Sequence, residues 1–304
     1  MSKALLLVSC LLLSRLVVAQ QDFQMTQFMF DKLNVNPAYA GANYTSTVSV
    51  FGSTLLGGGT NFASGQVARA SARLLDSGVG LAINFEGFSI GDYKSTEMSA
   101  VYAYHARVGD EQYLSFGIEG VYSTIFSSIY ASEFQPPINF SQAEAHFGSL
   151  YYNQSVYVGF SVQNLLGARI DDPFGGEIPI SSGKRLFRAM LGSVVPLSAE
   201  NELQSNLQLA YAKNATLAYD FNLMYAWKRT ITVGLSYRHA DFPESITRSN
   251  LDFIAQFKVN DKLLIGSSLT FPQAAASVQS SGAEFSAIWV WSSEERPFKE
   301  MPFF

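Results

Sequence analysis

The chain has 304 residues, of which 48% are hydrophobic and 15% are charged, and its formal net charge is −5. Soluble domains average about 25% charged residues, and such an apolar chain is not intrinsically disordered. Because phosphate binding needs clustered Lys and Arg, the acidic balance excludes nucleic acid as a partner. Aromatic residues make up 14% of the chain, which is typical of proteins whose side chains face lipid.

The first nineteen residues are typical of an export signal. Lys3 supplies a basic start, residues 4–13 form an apolar stretch, and residues 17–19 are the small residues of a cleavage site. We therefore expect a cleaved signal peptide over residues 1–19, although an uncleaved anchor and lipidation of Cys10 are alternatives. Cys10 is the only cysteine, so cleavage would leave no thiol chemistry or disulfide in the mature protein.

Alternation with a period of two runs through most of the remaining chain. Within residues 230–238, every second residue is large and apolar, and the residues between them are Thr, Gly, Ser or Arg. The same pattern recurs in residues 156–164, 217–225, 251–258 and 284–291. A soluble sandwich alternates too. These segments, however, often reach the roughly ten residues that a tilted strand needs to cross a membrane, whereas soluble strands average ~5–6.

The gaps between the segments favour a membrane barrel, because short and long gaps alternate along the chain. The short gaps are residues 75–78, 109–111, 153–155, 198–201, 228–229 and 260–262, and the long ones are 52–61, 87–93, 126–143, 165–183, 240–249 and 271–281. Lys213 and Asn214 form a tight turn where a long loop is due. The pattern predicts an all-β protein, a transmembrane antiparallel β-barrel of about 14 strands with an N-terminal periplasmic segment.

This interpretation divides the chain into four parts. We expect the signal peptide over residues 1–19, a periplasmic segment over 20–42, the barrel over 43–291, and a periplasmic tail over 292–304. A closed barrel is the one β arrangement that pairs every main-chain polar group in lipid.

The large residues should face lipid, because charged side chains are costly there. The polar set should then line the lumen, together with Glu97 and His105, and cross-link it through ion pairs. This lumen network comprises Arg69, Arg73, Glu86, Glu119, Asp220, Arg238, Asp252, Lys258 and Glu284.

Motifs for catalysis or cofactors are not found in the sequence. The three histidines, His105, His146 and His239, lack metal-ligand spacing. The glycines at 57–59 lack the Lys-Ser/Thr of a phosphate-binding loop, and the acidic stretch 171–177 lacks the spacing of a calcium loop. We expect no enzyme and no cofactor. A barrel hydrolase with a Ser–His pair at His239 is a remote alternative.

The segment from Gln24 to Gly41 is the most informative part outside the barrel. Phe28, Met29 and Phe30 are too apolar for a free tail, and Asn-Pro and Ala-Gly pairs indicate turns. The segment therefore packs somewhere defined. Three alternatives are open: it plugs or caps the periplasmic mouth, it presents a docking surface, or it is only an ordered lead-in to the first strand.

The N-terminal sequence resembles the opening of the PorP/SprF family of Bacteroidetes. The likeness is carried by residues 27–30 and above all by the block Asn36-Pro37-Ala38-Tyr39-Ala40-Gly41. It continues in order through residues 78–81, 103–105, 114–117, 157–165, 195–197, 211–215, 220–222, 234–238 and 259–263. The acidic loop around Asp171, residues 271–281 and the tail from 292 depart from the family pattern.

The resemblance implies a non-catalytic outer-membrane barrel of the type IX secretion and gliding machinery. Such a barrel would help to secrete or retain a cargo adhesin at the cell surface and would contact other type IX components, either periplasmic ring or peptidoglycan-associated proteins. The block from Asn36 to Gly41 is the candidate docking or structural element. A passive porin or a hydrophobic-solute transporter is the alternative function.

Overall fold

A computed structural model describes residues 25–42, 45–57, 60–74, 77–127, 137–167, 185–212, 217–242, 246–273 and 280–292. The expected signal peptide, the acidic loop and all but the first residue of the expected tail lie outside these residues. Fourteen strands form one sheet in which each strand pairs with its neighbours in sequence and β1 pairs with β14. The prediction of a closed antiparallel barrel of 14 strands is therefore confirmed. Within the described residues, no helix is long and apolar enough to cross a membrane.

The strands are β1 Thr45–Gly57, β2 Thr60–Arg73, β3 Val79–Ile90, β4 Tyr93–Gly109, β5 Gln112–Ser127, β6 Ile138–Tyr152, β7 Val156–Gln163, β8 Leu186–Pro196, β9 Glu202–Ala212, β10 Ala218–Trp227, β11 Ile231–Phe242, β12 Ile246–Asn260, β13 Leu263–Pro272 and β14 Ser280–Ser292. The strands thus extend from residue 45 to residue 292.

Alternation within the strands places large apolar side chains outside and small or polar ones inside. On β5, Ile118 is 55% exposed whereas Ser115 is 0% exposed. On β12, Phe253 is 46% exposed and the preceding Asp252 is 0% exposed. This arrangement is the reverse of a soluble domain, and it is stable only if the outer face contacts hydrocarbon.

Three predicted long loops are wrong. Residues 52–61, 87–93 and 240–249 lie mostly within strands, and β3 joins β4 through Gly91 and Asp92 alone. The glycines that suggested loops lie on the outer wall, where a side chain added at Gly52 or Gly87 would meet nothing within 4 Å. Strands such as β3, with 12 residues, and β4, with 17, are longer than the ~9–11 residues that span hydrocarbon, so they extend beyond the membrane.

The wall is uneven in height. β4 has 17 residues and β5 has 16, whereas β7 has only 8. The connections before and after β7 differ as well: β6 and β7 are joined by residues 153–155, and β7 and β8 by residues 164–185. Outer-membrane barrels have short periplasmic turns and longer outer loops, so residues 153–155 lie on the periplasmic side.

Candidate functional site

Residues 25–42, here called the plug, lie inside the barrel. All of them are buried except Asn34 and Tyr39, which are half-buried. The plug contains two 3-10 helices, Lys32–Asn34 and Pro37–Tyr39, and is otherwise turns. A periplasmic segment was expected over residues 20–42, and the described part of that segment is within the lumen rather than below it.

A row of small residues across five strands forms the seat of the plug. Gly80 on β3 pairs with Ala103 on β4, Ala103 with Gly117 on β5, Gly117 with Gly148 on β6, and Gly148 with Ser161 on β7. We call these five residues the small-residue row. Because they have almost no side chain, the plug main chain can approach the wall closely.

The plug fills this space tightly. A Cβ atom added at Gly117 would collide with the main chain of Pro37 and Ala38, and one at Gly80 would collide with the Ala40 carbonyl group. The glycines at these positions are therefore required by packing against the plug. The sequence alone does not indicate that glycine is required at these positions, because the requirement arises from contact with the plug.

Asn36 connects the plug to the wall through both ends of its side-chain amide. Its Oδ1 accepts a hydrogen bond from the Ala38 N–H at 2.9 Å and so caps the second 3-10 helix. Its Nδ2 donates to the carbonyl oxygens of Ser149, at 2.9 Å, and Phe160, at 3.4 Å. Asn36 thus ties β6 to β7, and Gly148 beside it leaves the space that the amide occupies.

The three residues after Asn36 present the plug main chain to the seat. Pro37 occupies the first position of the 3-10 helix, where its missing N–H costs no hydrogen bond. The Ala38 carbonyl oxygen accepts from Ser115 Oγ at 2.8 Å, and Ala38 itself is 0% exposed. Tyr39 is half-buried and packs against apolar clusters on both sides of the plug.

The end of the block is held by β2 and β4. His105 Nε2 lies 2.7 Å from the Ala40 carbonyl oxygen, which can only accept, so Nε2 is the donor and Nδ1 accepts from Tyr152 Oη at 3.1 Å. Gly41 has φ +70°, a conformation that glycine adopts without strain, and its N–H donates to Ser71 Oγ at 3.1 Å. Each residue from Asn36 to Gly41 therefore has a structural reason for its identity.

An ion-pair network anchors the middle of the plug. Arg69 on β2 binds the Asp31 carboxylate and the Asn34 amide oxygen of the plug, and it also pairs with Glu86 on β3. Burial raises the pKa of Asp31, and Arg69 opposes this change. Ser161 adds a hydrogen bond from Oγ to the Val35 carbonyl oxygen at 2.6 Å.

Lys32 is the buried cation of the plug. Its Nζ donates to the Met29 carbonyl oxygen at 2.5 Å and lies 5.4 Å and 5.3 Å from the ring centroids of Tyr39 and Tyr157. The side chain is almost fully buried. Burial lowers the pKa of Lys32 to about 7, even though Asp31 favours the charged form.

The first turn of the plug is bound by β14. The N–H groups of Thr26 and Gln27 donate to the two carboxylate oxygens of Glu284, at 2.7 and 3.1 Å. Ser286 Oγ donates to Gln27 Oε1 at 2.7 Å. Met25, Met29 and Phe30 join a cluster of apolar side chains from β1, β2, β10 and β12–β14, while Phe28 packs with residues of β5–β8.

The remaining members of the lumen network form separate groups. Glu119 contacts His146 at 3.1 Å and accepts from Asn84 and Ser99. Asp220 pairs with Arg238 at 3.0 Å and accepts from Ser236. The Glu119 group lies above the seat, and the Asp220 group lies on the opposite wall. Neither group has a described contact with the plug.

Three members behave differently. Asp252 is 0% exposed, and neither of its carboxylate oxygens has a hydrogen-bond donor among the described residues. Arg73 lies over the Tyr113 ring at 5.4 Å and reaches Tyr152 Oη. Lys258 lies near the periplasmic rim, where its Nζ pairs with the exposed Asp261 at 2.9 Å.

Residues 17–286 match the sequence profile of a family described as "Type IX secretion system membrane protein PorP/SprF". The match covers most of the chain and includes the whole plug. The chain belongs to the PorP/SprF family. It is thus an outer-membrane component of type IX secretion. The family identifies the secretion system, and the transmembrane barrel identifies the membrane as the outer one. No curated protein matches the sequence.

Solved barrels share the fold of this PorP/SprF protein at very low sequence identity. The CymD monoaromatic hydrocarbon channel aligns with a TM-score of 0.55 and 10% identity, over 88% of this chain and 93% of that one. A Pseudomonas aeruginosa FadL homologue gives 0.53 and 10%, over 88% and 94%. Acinetobacter baumannii Omp33 gives 0.50 and 8%, over 82% and 100%. These likenesses show the barrel fold alone.

Two features of the described part of the PorP/SprF barrel bear on metal binding and catalysis. Among the described residues, no cluster of three or more His, Cys, Asp and Glu side chains could hold a metal ion. His239 Nδ1 lies 2.9 Å from Ser249 Oγ, and the Tyr219 ring lies 5.2 Å from the imidazole, tilted by 30°. The two residues are opposite each other on paired strands, where main-chain N–H groups serve the ladder rather than an oxyanion.

Proposed function

We propose that this PorP/SprF protein is a non-conducting barrel that helps to secrete or retain a cargo adhesin at the cell surface, as part of the type IX and gliding machinery. The observation that carries the proposal is the plug, whose main chain is bonded to the wall from β2 to β7 and again at β14. A passive channel needs an open lumen. A lumen that holds 18 residues of its own chain, residues 25–42, is built for holding a structure in place.

The apolar outer wall and the plug together suggest how the barrel would work. The barrel would serve as an anchor in the outer membrane, and its extracellular end would contact the exported protein. The periplasmic partners would be ring or peptidoglycan-associated proteins that meet the short-turn side. Since the block from Asn36 to Gly41 is within the lumen, it would act by shaping the barrel, unless the plug leaves its seat.

Single-channel recording in planar bilayers tests the closed lumen. We expect the purified protein to show no large, steady conductance, because the plug occupies the lumen. A stable and selective current from the wild-type protein would instead support the alternative function, a porin or hydrophobic-solute transporter. That alternative is suggested by the barrel fold shared with the CymD monoaromatic hydrocarbon channel and the FadL homologue.

A crosslinked pull-down from the native envelope tests the secretion role. We expect the wild-type protein to capture exported surface proteins and periplasmic components, and the double variant Asn36→Ala/Tyr39→Ala to capture less. The matched control is Ser64→Ala/Gln66→Ala, whose two side chains lie on the outer side of β2, away from the plug. Recovery of only lipids and unrelated porins from the wild-type protein would refute the proposal.

The expected cleavage of the signal peptide has its own test. N-terminal sequencing of the protein purified from outer membranes should begin at Gln20, after the Val-Val-Ala site. A protein that begins at Met1 would show that residues 1–19 stay attached as an anchor.

A further inference from the structure

Among the residues that the structure describes, the extracellular half of β6 has no strand paired to one of its edges. β5 pairs with β6 over its whole length, from Ile138 to Tyr152. β7 pairs only with the periplasmic part of β6, from Phe147 to Tyr152. Within the part of the chain that the structure describes, no strand lies beside residues 138–144 on the β7 side.

The main-chain groups on this edge can be assigned from one hydrogen bond. Leu165 N–H donates to the Ala145 carbonyl oxygen at 2.9 Å, so the polar groups of Ala145 point toward the β7 side. Successive residues of an antiparallel strand point to opposite neighbours. Asn139, Ser141 and Ala143 therefore point their N–H and C=O groups into the space above β7, while the even-numbered residues pair with β5.

Residues 164–167 do not continue β7 along this edge, because two of them have left-handed main-chain conformations. Asn164 has φ 59° and Gly167 has φ 61°, and Asn and Gly are the residues that adopt this region most easily. Leu166 N–H donates to the Glu144 carboxylate at 3.2 Å instead of continuing the strand. The Leu166 side chain is 65% exposed beside the edge.

The Asn139 end of this edge lies above the hydrocarbon. Its outward side chains, Asn139, Ser141 and Ala143, are exposed and small or polar. In register with Asn139, across β5, the exposed Lys94 also faces outward. A lysine on the lipid face costs about 2–4 kcal/mol near the midplane, so this end of β4–β6 stands in water, where an unpaired edge can accept another strand.

We propose that the β6 edge, residues 139–143, binds an extended segment of an exported protein as an added β-strand. A row of N–H and C=O groups at strand spacing is complementary to one kind of partner, an extended main chain. The edge faces the side on which exported proteins emerge, so this inference rests on the proposed secretion function. The edge also has no proline, lysine or bulge of the kind that blocks strand addition.

Two neighbouring groups define the side chains that the added strand should carry. On the inner face, Gln142 Oε1 is buried and has no hydrogen-bond donor among the described residues. A donor-bearing side chain on the inward face of the added strand would satisfy it. The exposed Leu166 would pack against an apolar residue near the end of the added strand.

Amide hydrogen exchange of the barrel in lipid nanodiscs tests the edge directly. In the isolated protein, the amides of Asn139, Ser141 and Ala143 should exchange fast, and those of Phe140, Gln142 and Glu144 slowly. Slow exchange of the first set in the isolated protein would overturn the proposal, because the chain would then cover its own edge. Protection that grows with protein concentration would overturn it too, because a second copy would be the occupant.

The binding test uses synthetic peptides as probes. Overlapping peptides from the exported protein that crosslinks to the barrel should include one that slows exchange at Asn139, Ser141 and Ala143. Ser141→Pro removes an N–H that points at the added strand, so it should weaken binding of that peptide about tenfold or more, whereas Ser141→Ala should not. Equal binding by the two variants would refute strand addition at this edge.

The two proposals fail in different ways. If an exported protein is captured and Ser141→Pro leaves its capture unchanged, the proposal of strand addition at the β6 edge is wrong, whereas the proposed secretion role stands. If no exported protein is captured by the wild-type barrel, the secretion role is wrong and the edge inference falls with it. A native gel of each variant, compared before and after heating, checks that the barrel is folded.

Discussion

The two sides of the lumen wall hold the plug by different means. On the β3–β7 side, the small-residue row lets the plug main chain approach until only glycine fits, and hydroxyl or imidazole groups bond to its carbonyl oxygens. On the β10–β14 side, long or charged side chains such as Glu284 and Met224 bridge the remaining distance. The plug is therefore positioned by close packing against small residues on one wall and by contacts with long side chains on the other.

This difference predicts which changes each wall tolerates. The small-residue side should be sensitive to added volume, because the plug has no room to retreat from a new side chain. The polar side should be sensitive to the loss of one partner of a buried ion pair, because the charge that remains is stranded away from water. The predictions below use matched positions on each side.

The largest effect is expected on the polar side, from Asp220→Leu. Asp220 pairs with Arg238 at 3.0 Å and accepts from Ser236 at 2.5 Å, so its loss removes a charge partner of a buried arginine. We expect the free energy of unfolding to fall by about 3–5 kcal/mol, measured by urea unfolding in lipid vesicles. Asp252→Leu removes a carboxylate that attracts Arg238 but has no hydrogen-bond donor among the described residues, so it should cost less than Asp220→Leu. Equal losses would show that the two carboxylates act alike.

A smaller effect is expected on the small-residue side, from Gly117→Val. The new side chain would collide with the Pro37–Ala38 main chain, and overpacking of this kind costs about 1–3 kcal/mol. We expect the plug to leave its seat, with faster amide exchange in residues 36–41 and a new ion conductance. Gly120→Val is the control, because Gly120 is on the same strand and an added Cβ there meets nothing within 4 Å. Conductance from both variants, or from neither, would contradict the close-approach argument.

Asn36 separates capping of the plug from bridging of the wall. Asn36→Ala removes the cap and the two hydrogen bonds to β6 and β7, and it should weaken plug docking by about 1–2 kcal/mol. Asn36→Ser keeps a capping oxygen but has no amide to reach Ser149 and Phe160. We expect its loss to lie between those of wild type and Asn36→Ala, measured by exchange of the Ala38 amide. If serine and alanine behave alike, the bridge to the wall matters and the cap does not.

The last prediction concerns pH and the buried Lys32 side chain of the plug. The pKa of Lys32 in the docked plug is lowered to about 7, against about 10.4 for a solvated lysine. Between these two values the undocked plug binds more protons than the docked plug, so docking should strengthen as the pH rises from about 7 to 10. Lys32→Met should flatten this dependence while filling the same space. An unchanged slope of plug exchange against pH in Lys32→Met would show that another group is responsible.

Several parts of the fold were predictable because they depend on neighbouring residues in sequence. Alternation in residues 230–238 identified a lipid-facing and a lumen-facing set, since side chains of a strand point to opposite faces at successive positions. The block from Asn36 to Gly41 signalled an ordered turn through its Pro and Gly. The loops at 52–61 and 87–93 were misassigned, because Gly52 and Gly87 carry no local mark that distinguishes an outer-wall glycine from a turn glycine.

The sequence by itself determined a barrel, the face of each strand that meets lipid, and the family to which the chain belongs, because period-two alternation and short motifs are local properties. Only the tertiary structure decided that residues 25–42 fill the lumen, that Gly80, Gly117 and Gly148 form one row, and that β6 outruns β7. These features depend on register between strands that are far apart in the chain, and register is set when the sheet closes on itself.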